Sequence, residues 1–376
     1  MAVTLLPTAV FAEDATGKLI PAGGAKIGET VYQTLEAAVT AAASGDTIQL
    51  GAGKYTLYKK GAETKGKDLT FVGQGADETT WGIGATMPDP DKFGTEYNGD
   101  YSFDGAGTVT FKNMTLQSAD ANYLGFIRAD QTVVEDCTIN GKTFYWGYTS
   151  ASFKNTTFNC PSGDYAIWTY SSPTMTFDSC TFNSSGKVIN VFTDYGAGKN
   201  DIIVNFKGCT VNNTSPNKAV LNINDSNMDK FKYILNISGN TTVTGVDVDK
   251  DTCSRLFGFG GKAASNNKGK TVVNFGDTTV WEDGKMVDAK AYHTDGVKVD
   301  GVTYGNGGSG ANDILYAEGY KDNAFTITYS EWTKNPDGTK THTVTKTCNY
   351  CGYQESTTET AEADPCLLYT SDAADE

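Results

Sequence analysis

Apolar and polar residues alternate in short runs along much of this chain. Val109 and Phe111 alternate with Thr110 and Lys112, and Val204 and Phe206 with Asn205 and Lys207, the period of two that marks a half-buried strand. The run returns in a fixed frame. It reads Val109-Thr-Phe-Lys-Asn-Met-Thr-Leu116, Val134-Glu-Asp-Cys-Thr-Ile139, Phe153-Lys-Asn-Thr-Thr-Phe158, Phe177-Asp-Ser-Cys-Thr-Phe182 and Phe206-Lys-Gly-Cys-Thr-Val211. Looser copies follow at Ile237-Ser-Gly-Asn-Thr-Thr-Val243 and Phe275-Gly-Asp-Thr-Thr-Val280. The five regular copies lie 19 to 29 residues apart, as when loops of variable length interrupt a constant rung. Asn113, Asp136, Asn155, Ser179 and Gly208 share one place in the frame, and these residue types favour a sharp bend with left-handed backbone. A strand that bends at a fixed point and returns cannot bury its apolar face alone, so the rungs are expected to stack into a parallel solenoid.

One early segment has helical periodicity instead. In Tyr32-Gln-Thr-Leu-Glu-Ala-Ala-Val-Thr-Ala-Ala-Ala-Ser-Gly-Asp-Thr-Ile-Gln-Leu-Gly-Ala-Gly-Lys-Tyr55, residues Leu35, Val39 and Ala42 form one stripe and Gly45 is placed to end a helix. This segment resembles the amphipathic helix and first strand that open right-handed parallel β-helices of the pectate-lyase-like group. Leu69-Thr-Phe-Val-Gly-Gln-Gly-Ala-Asp-Glu-Thr-Thr80 resembles the next rung, and the resemblance extends over residues 30 to 300. It implies an all-β, right-handed parallel β-helix with an N-terminal capping helix, and it speaks to fold rather than function.

A second set of strands precedes the repeats: Tyr123-Leu-Gly-Phe-Ile-Arg-Ala129, Tyr145-Trp-Gly-Tyr-Thr-Ser150, Ile167-Trp-Thr-Tyr-Ser-Ser172 and Ile189-Asn-Val-Phe-Thr-Asp194. A constant step of 22 residues aligns Phe126, Tyr148, Tyr170 and Phe192 in one column and Leu124, Trp146, Trp168 and Asn190 in another. Asn190 and Asp194 share that face, as do Asn222 and Asn224 of a later rung, so the aromatic columns are expected to face outward. Stacked on rungs about 4.8 Å apart they would form a flat aromatic platform. Aromatic faces stack on the C–H faces of sugars, and Tyr and Trp also offer polar tips to hydroxyls. The expected site is therefore a glycan-binding stripe of Phe126, Trp146, Tyr148, Trp168, Tyr170 and Phe192, flanked by Arg128 and Asp194. The competing expectation is an inward aromatic stack, and protein contact, as in an adhesin, is another use of the same patch.

Composition narrows the function. The 376 residues carry 30 Lys+Arg against 45 Asp+Glu, a net charge of −15, which repels nucleic acid and anionic membrane surfaces. No apolar run is long enough for a membrane span. The 42 glycines suit many turns. Lys112, Glu135, Lys154, Asp178 and Lys207 follow successive inward residues with alternating sign, which suits a salt-bridge ladder between rungs better than a lyase site. There are two arginines, Arg128 and Arg255, and two histidines, His293 and His342, and no Ser/His/Asp arrangement emerges. Cys137, Cys180 and Cys209 fall on an inward position shared with Met114 and Thr156, as small buried hydrophobes, with a Cys180–Cys209 bridge open to an exported protein.

The remaining expectations concern loops and ends. The acidic stretches 89–100 and 247–251 have the composition of Ca²⁺ loops but not EF-hand spacing; solvated loops are the plainer reading. After residue 310 the composition changes, Asn335-Pro-Asp-Gly338 signals a turn, and Thr347-Cys-Asn-Tyr-Cys-Gly-Tyr353 resembles short C-terminal repeats of surface proteins from gut-type Gram-positive bacteria. Cys348 and Cys351 would supply half a Zn²⁺ site or a disulfide, and a surface His342 is the plainer alternative to a third ligand. Residues 1–12 end in Val10-Phe-Ala12, like a signal-peptide remnant, and residues 366–376 resemble a translated sequencing adapter. The organisation expected is thus a β-helix over 13–310 and a small β-rich CxxC module over 311–365. Its function is expected to be that of an extracellular, secreted or cell-surface monomer, non-catalytic and without an obligate cofactor, binding a polysaccharide or host glycan. The alternative is a polysaccharide lyase or glycoside hydrolase of the same fold, and a third reading is a structural stalk.

Overall fold

A computed structural model describes residues 11–13, 19–55, 57, 61–83, 103–118, 125–161, 163–169, 174–191, 201–213, 219–223, 231–239, 241–245, 255–259, 271–282, 285–287, 304–306, 315–317, 325–348 and 354–362. Three long, mainly parallel sheets dominate. The chain passes from the first to the second to the third and back, so that each strand pairs with its counterpart one rung away.

Sheet I contains the strands Thr108–Lys112, Gln131–Glu135, Ser150–Lys154, Thr174–Asp178, Ile202–Lys207 and Tyr233–Ser238. They pair in register, setting Phe111, Val134, Phe153, Phe177, Phe206 and Ile237 in one inward column. Sheet II follows each bend with Thr115–Ser118, Thr138–Asn140, Thr157–Cys160, Thr181–Ser184 and Thr210–Asn213, whose inward column is Leu116, Ile139, Phe158, Phe182 and Val211. Between the two sheets Asn113, Asp136, Asn155 and Ser179 have φ of 55°, 54°, 47° and 57°, and Gly208 has φ of 60°. The repeat position read as a bend is a left-handed residue in every one of these copies. Beyond Phe275 the next strand, Thr278–Glu282, turns back antiparallel, ending the parallel run of sheet I.

The core is built from the two inward columns facing one another. Phe153, Phe177 and Phe206 stack at centroid spacings of 4.9 and 5.1 Å, and Phe158 and Phe182 at 4.4 Å. Rings one rung apart are held face to face by the strand spacing. Met114, Cys137, Thr156, Cys180 and Cys209 are all buried just after the bend, as expected, and Cys137, Cys160, Cys180 and Cys209 are free thiols, with no bridge between Cys180 and Cys209. Burial pushes the Cys137 thiol up to about 12. A shared hydrogen bond with Cys209, and then burial, raise that of Cys180.

Helix α1 spans Leu35–Ala41 and is capped by Thr34, whose side chain accepts from the Ala37 amide at 3.2 Å. Leu35, Ala38 and Val39 join the core. The helix stops four residues short of Gly45, because Ala42 is already extended (φ −62°, ψ 138°), while Gly45 (φ 93°) shapes the turn into the sheet I strand Thr47–Leu50, which the antiparallel hairpin Ala25–Ile27/Thr30–Tyr32 precedes in the same sheet. Near the C-terminus Phe325–Tyr329, Thr333–Lys334, Lys340–Cys348 and Gln354–Ala361 form an antiparallel sheet. The Asn335–Gly338 turn forms as expected, closed by the Gly338 amide on the Asn335 carbonyl at 3.0 Å.

Candidate functional site

Sheet III contains the second set of strands: Gly125–Ile127, Thr143–Trp146, Tyr165–Thr169, Lys187–Val191, Ala219–Ile223 and Arg255–Phe259. Its register differs from the constant step. Phe126 pairs with Phe144, Phe144 with Trp168, Trp168 with Asn190 and Asn190 with Asn222. The register shifts between Phe126 and Ile127, so that Ile127 lies opposite Trp146 across the irregularity. One extra residue in a strand turns the following side chains to the other face. Trp146 is therefore inside, not outside: it is 1% exposed, packs edge-on against Phe153 at 5.2 Å and donates from Nε1 to Thr143 Oγ1 at 2.8 Å.

Trp168 faces away from the core, as expected, but in different company. Its ring stacks on Phe144 at 4.9 Å with 17° between planes, and Tyr165 braces it edge-on at 5.0 Å. Phe144 and Tyr165 are buried and Trp168 is half-buried, so among the described residues this column presents one supported ring to the outside. Around it, Lys142 Nζ lies 5.3 Å from the Tyr165 centroid and 3.8 Å from Asp164 Oδ2, and Lys187 Nζ lies 4.0 Å from Asp164 Oδ1. Further along the same column the Asn222 amide donates to Asn190 Oδ1 at 2.7 Å, both residues being buried.

The other residues of the expected stripe are dispersed or lie outside the described structure. Tyr148 is 41% exposed, in the turn after Gly147 rather than in a strand column. Arg128 is half-buried just past the end of its strand. The side chain of Phe126 and all of Tyr170, Phe192 and Asp194 lie outside the described residues. Phe144, Tyr165, Lys142 and Asp164 were not singled out from sequence, although a signal was present. The step of 24 residues relating Phe158 to Phe182 also relates Phe144 to Trp168, and the step of 19 relating Ile139 to Phe158 also relates Ile127 to Trp146.

The charge column of sheet I forms in part, as two pairs, with Lys112 Nζ 2.6 Å from Glu135 Oε2 and Lys207 Nζ 3.4 Å from Asp178 Oδ2, and Lys154 exposed between them. Hydrogen bonding from the Ser179 hydroxyl at 2.8 Å, with Lys207 beside it, holds the Asp178 carboxyl below its usual range. Both carboxylates are thus engaged by neighbouring rungs.

His342 is buried rather than on the surface, 3.8 Å from Trp332 in a parallel stack, with Nε2 3.0 Å from Glu359 Oε2. Cys348 is six residues further along the same strand, about 20 Å away at the rise of an extended chain, so the two do not share a metal. The Cys348 side chain, Cys351 and the acidic stretches 89–100 and 247–251 lie outside the described residues. Among the described residues no group of three or more His, Cys, Asp or Glu is placed to hold a metal ion, and no helix is long and apolar enough to cross a membrane. No family profile matches the chain, nor does any curated protein or solved structure.

Proposed function

We propose that this chain is an exported, secreted or cell-surface protein, a right-handed parallel β-helix closed at its first coil by α1, that binds a polysaccharide or host glycan without transforming it. The observation that carries this reading is the Trp168 ring, half-buried and held rigid by Phe144 stacked on it from the neighbouring rung and Tyr165 at its edge. A ring already fixed in place loses little conformational freedom when a sugar stacks on it. The Lys142–Asp164–Lys187 cluster beside it supplies charged hydrogen-bonding groups of the kind that orient hydroxyls. Export is supported by the apolar segment ending in Val10-Phe-Ala12.

The test is affinity electrophoresis of the full chain through gels containing xylan, mannan, pectin, mucin or glycosaminoglycan. Retardation of the wild type in at least one gel is expected, and it weakens in Trp168→Ala while that variant remains folded. Trp146→Ala serves as the contrast: it empties a core position and should cost about 3–5 kcal/mol of stability. Retardation in no gel, or retardation indifferent to Trp168, would overturn the reading.

A further inference from the structure

Sheet II carries a second regular surface that the aromatic cluster does not use. In-register pairing sets Thr80, Thr115, Thr138, Thr157, Thr181, Thr210 and Thr242 in one column. Two residues further along the strands, Gln117, Asn140, Asn159, Asn183 and Asn212 form a second column. Between the columns Leu116, Ile139, Phe158, Phe182 and Val211 point into the core, so the alternation of a strand turns both polar columns outward. The asparagines are threaded into one chain. Asn159 donates to Asn140 at 3.1 Å, Asn183 to Asn159 at 2.9 Å and Asn212 to Asn183 at 3.0 Å.

The threonines are different. Thr115 Oγ1 donates to the Ala76 carbonyl at 2.7 Å, but the hydroxyls of Thr138, Thr157, Thr181 and Thr210 have no hydrogen-bond partner among the described residues and are half-exposed. Two other asparagine series among the described residues are closed off. On sheet I the series Asn205, Asn236 and Asn274 ends on Thr176 at one side and Thr279 at the other, and on sheet III Asn190 and Asn222 are buried. Over four rungs sheet II therefore presents open hydroxyls beside a hydrogen-bonded chain of amides, with no charged side chain in either column. Rungs are about 4.8 Å apart, and residues two apart on one strand about 7 Å.

A ligand that satisfies such an array must repeat at the rung interval, offer hydroxyls on a flat face and carry no charge. The last condition is set by electrostatics, since the four open rungs hold no cation in either column, Lys54 joining the threonine column only at its far end beyond Thr80, and the chain has a net charge of −15, which disfavours polyanionic glycans. We propose that the Thr138–Thr157–Thr181–Thr210 column and its asparagine neighbour bind an extended, neutral, β-1,4-linked polysaccharide lying along the stack, about one sugar to a rung. This rests on the glycan-binding reading above and names its substrate class and a second site for it.

The chemistry predicts dependence on chain length. Each rung covered adds one or two hydrogen bonds, worth roughly two- to tenfold in affinity, until the open rungs are filled. The experiment is calorimetric titration of the full chain with cello-, manno- and xylo-oligosaccharides from disaccharide to hexasaccharide. Wild type, Trp168→Ala and Thr157→Val/Thr181→Val are compared; valine keeps the shape and strand preference of threonine and puts a methyl group in place of the hydroxyl. The expected result is an affinity in one series that climbs with length in wild type and in Trp168→Ala, and a climb reduced by roughly tenfold or more at the hexasaccharide in the threonine variant. A climb unchanged in Thr157→Val/Thr181→Val overturns the ladder site while leaving the Trp168 reading standing. Absence of binding to every oligosaccharide and to every glycan gel removes both. A threonine variant that alters self-association but not sugar binding would make the column a contact between copies and overturn the proposal.

Discussion

Asn155 holds a left-handed backbone (φ 47°) at the bend where a sheet I strand passes into sheet II, and its Nδ2 donates to Asp136 Oδ1 on the previous rung at 3.1 Å. A β-branched residue there would force its Cβ against the backbone at a cost of about 1–2 kcal/mol, whereas glycine adopts the conformation freely. Asn155→Val should therefore lower the urea-unfolding free energy by about that amount, and Asn155→Gly should stay within a few tenths of a kcal/mol of wild type. Equal stability of the Val variant would mean that the bend does not require a left-handed residue. This position was legible in the sequence because it is filled by Asn, Asp, Asn, Ser and Gly in successive copies, a set with a common backbone tolerance and little else in common. The exposure of a single ring was not legible in the same way. Trp146 and Trp168 are both a Trp followed within two residues by a Tyr, yet one is core and the other surface, and a local irregularity separates them.

At the scale of the strand, each rung repeats the same chemistry one strand spacing further on, so charges, amides and rings all form ladders. Asp178 shows what one link contributes. Its carboxyl is depressed in the folded protein, by the Ser179 hydroxyl first and Lys207 second, so it stabilises the fold at pH values above its unfolded value near 3.8. That stabilisation is lost as pH falls through the lower folded value. Asp178→Asn should be less stable than wild type at neutral pH by less than about 1 kcal/mol, the range for an exposed pair, and the gap should close as the solution is acidified. A gap that widens in acid would contradict this account of the ladder. Sheets I and II were legible because the repeat frame fixes their register directly. Sheet III was not, because a constant 22-residue step was imposed on strands separated by unequal loops. The steps of 19 and 24 already present in the repeat carry the correct pairing of Ile127 with Trp146 and of Phe144 with Trp168. Side chains offset by one residue change faces, so a small error in step was enough to move Trp146 from core to surface.

Over the whole molecule, stacking separates roles. The inward columns of Phe, Ile, Val and Leu supply cohesion, so the outward columns are free to differ from sheet to sheet. Sheet I has paired charges, sheet II open hydroxyls, and sheet III one braced ring beside a lysine–aspartate cluster. The uncharged sheet II surface on an acidic chain suits the proposed neutral glycan, held by stacking and hydrogen bonds rather than by ion pairing. The most direct measurement is co-sedimentation of the full chain with insoluble cellulose, mannan, xylan and chitin, alongside immobilised heparin and pectate, over a range of salt. The account predicts retention on at least one neutral polysaccharide, competed by its soluble oligosaccharides and nearly insensitive to salt. Retention on none of them, or retention confined to the polyanions and released by salt, would contradict it.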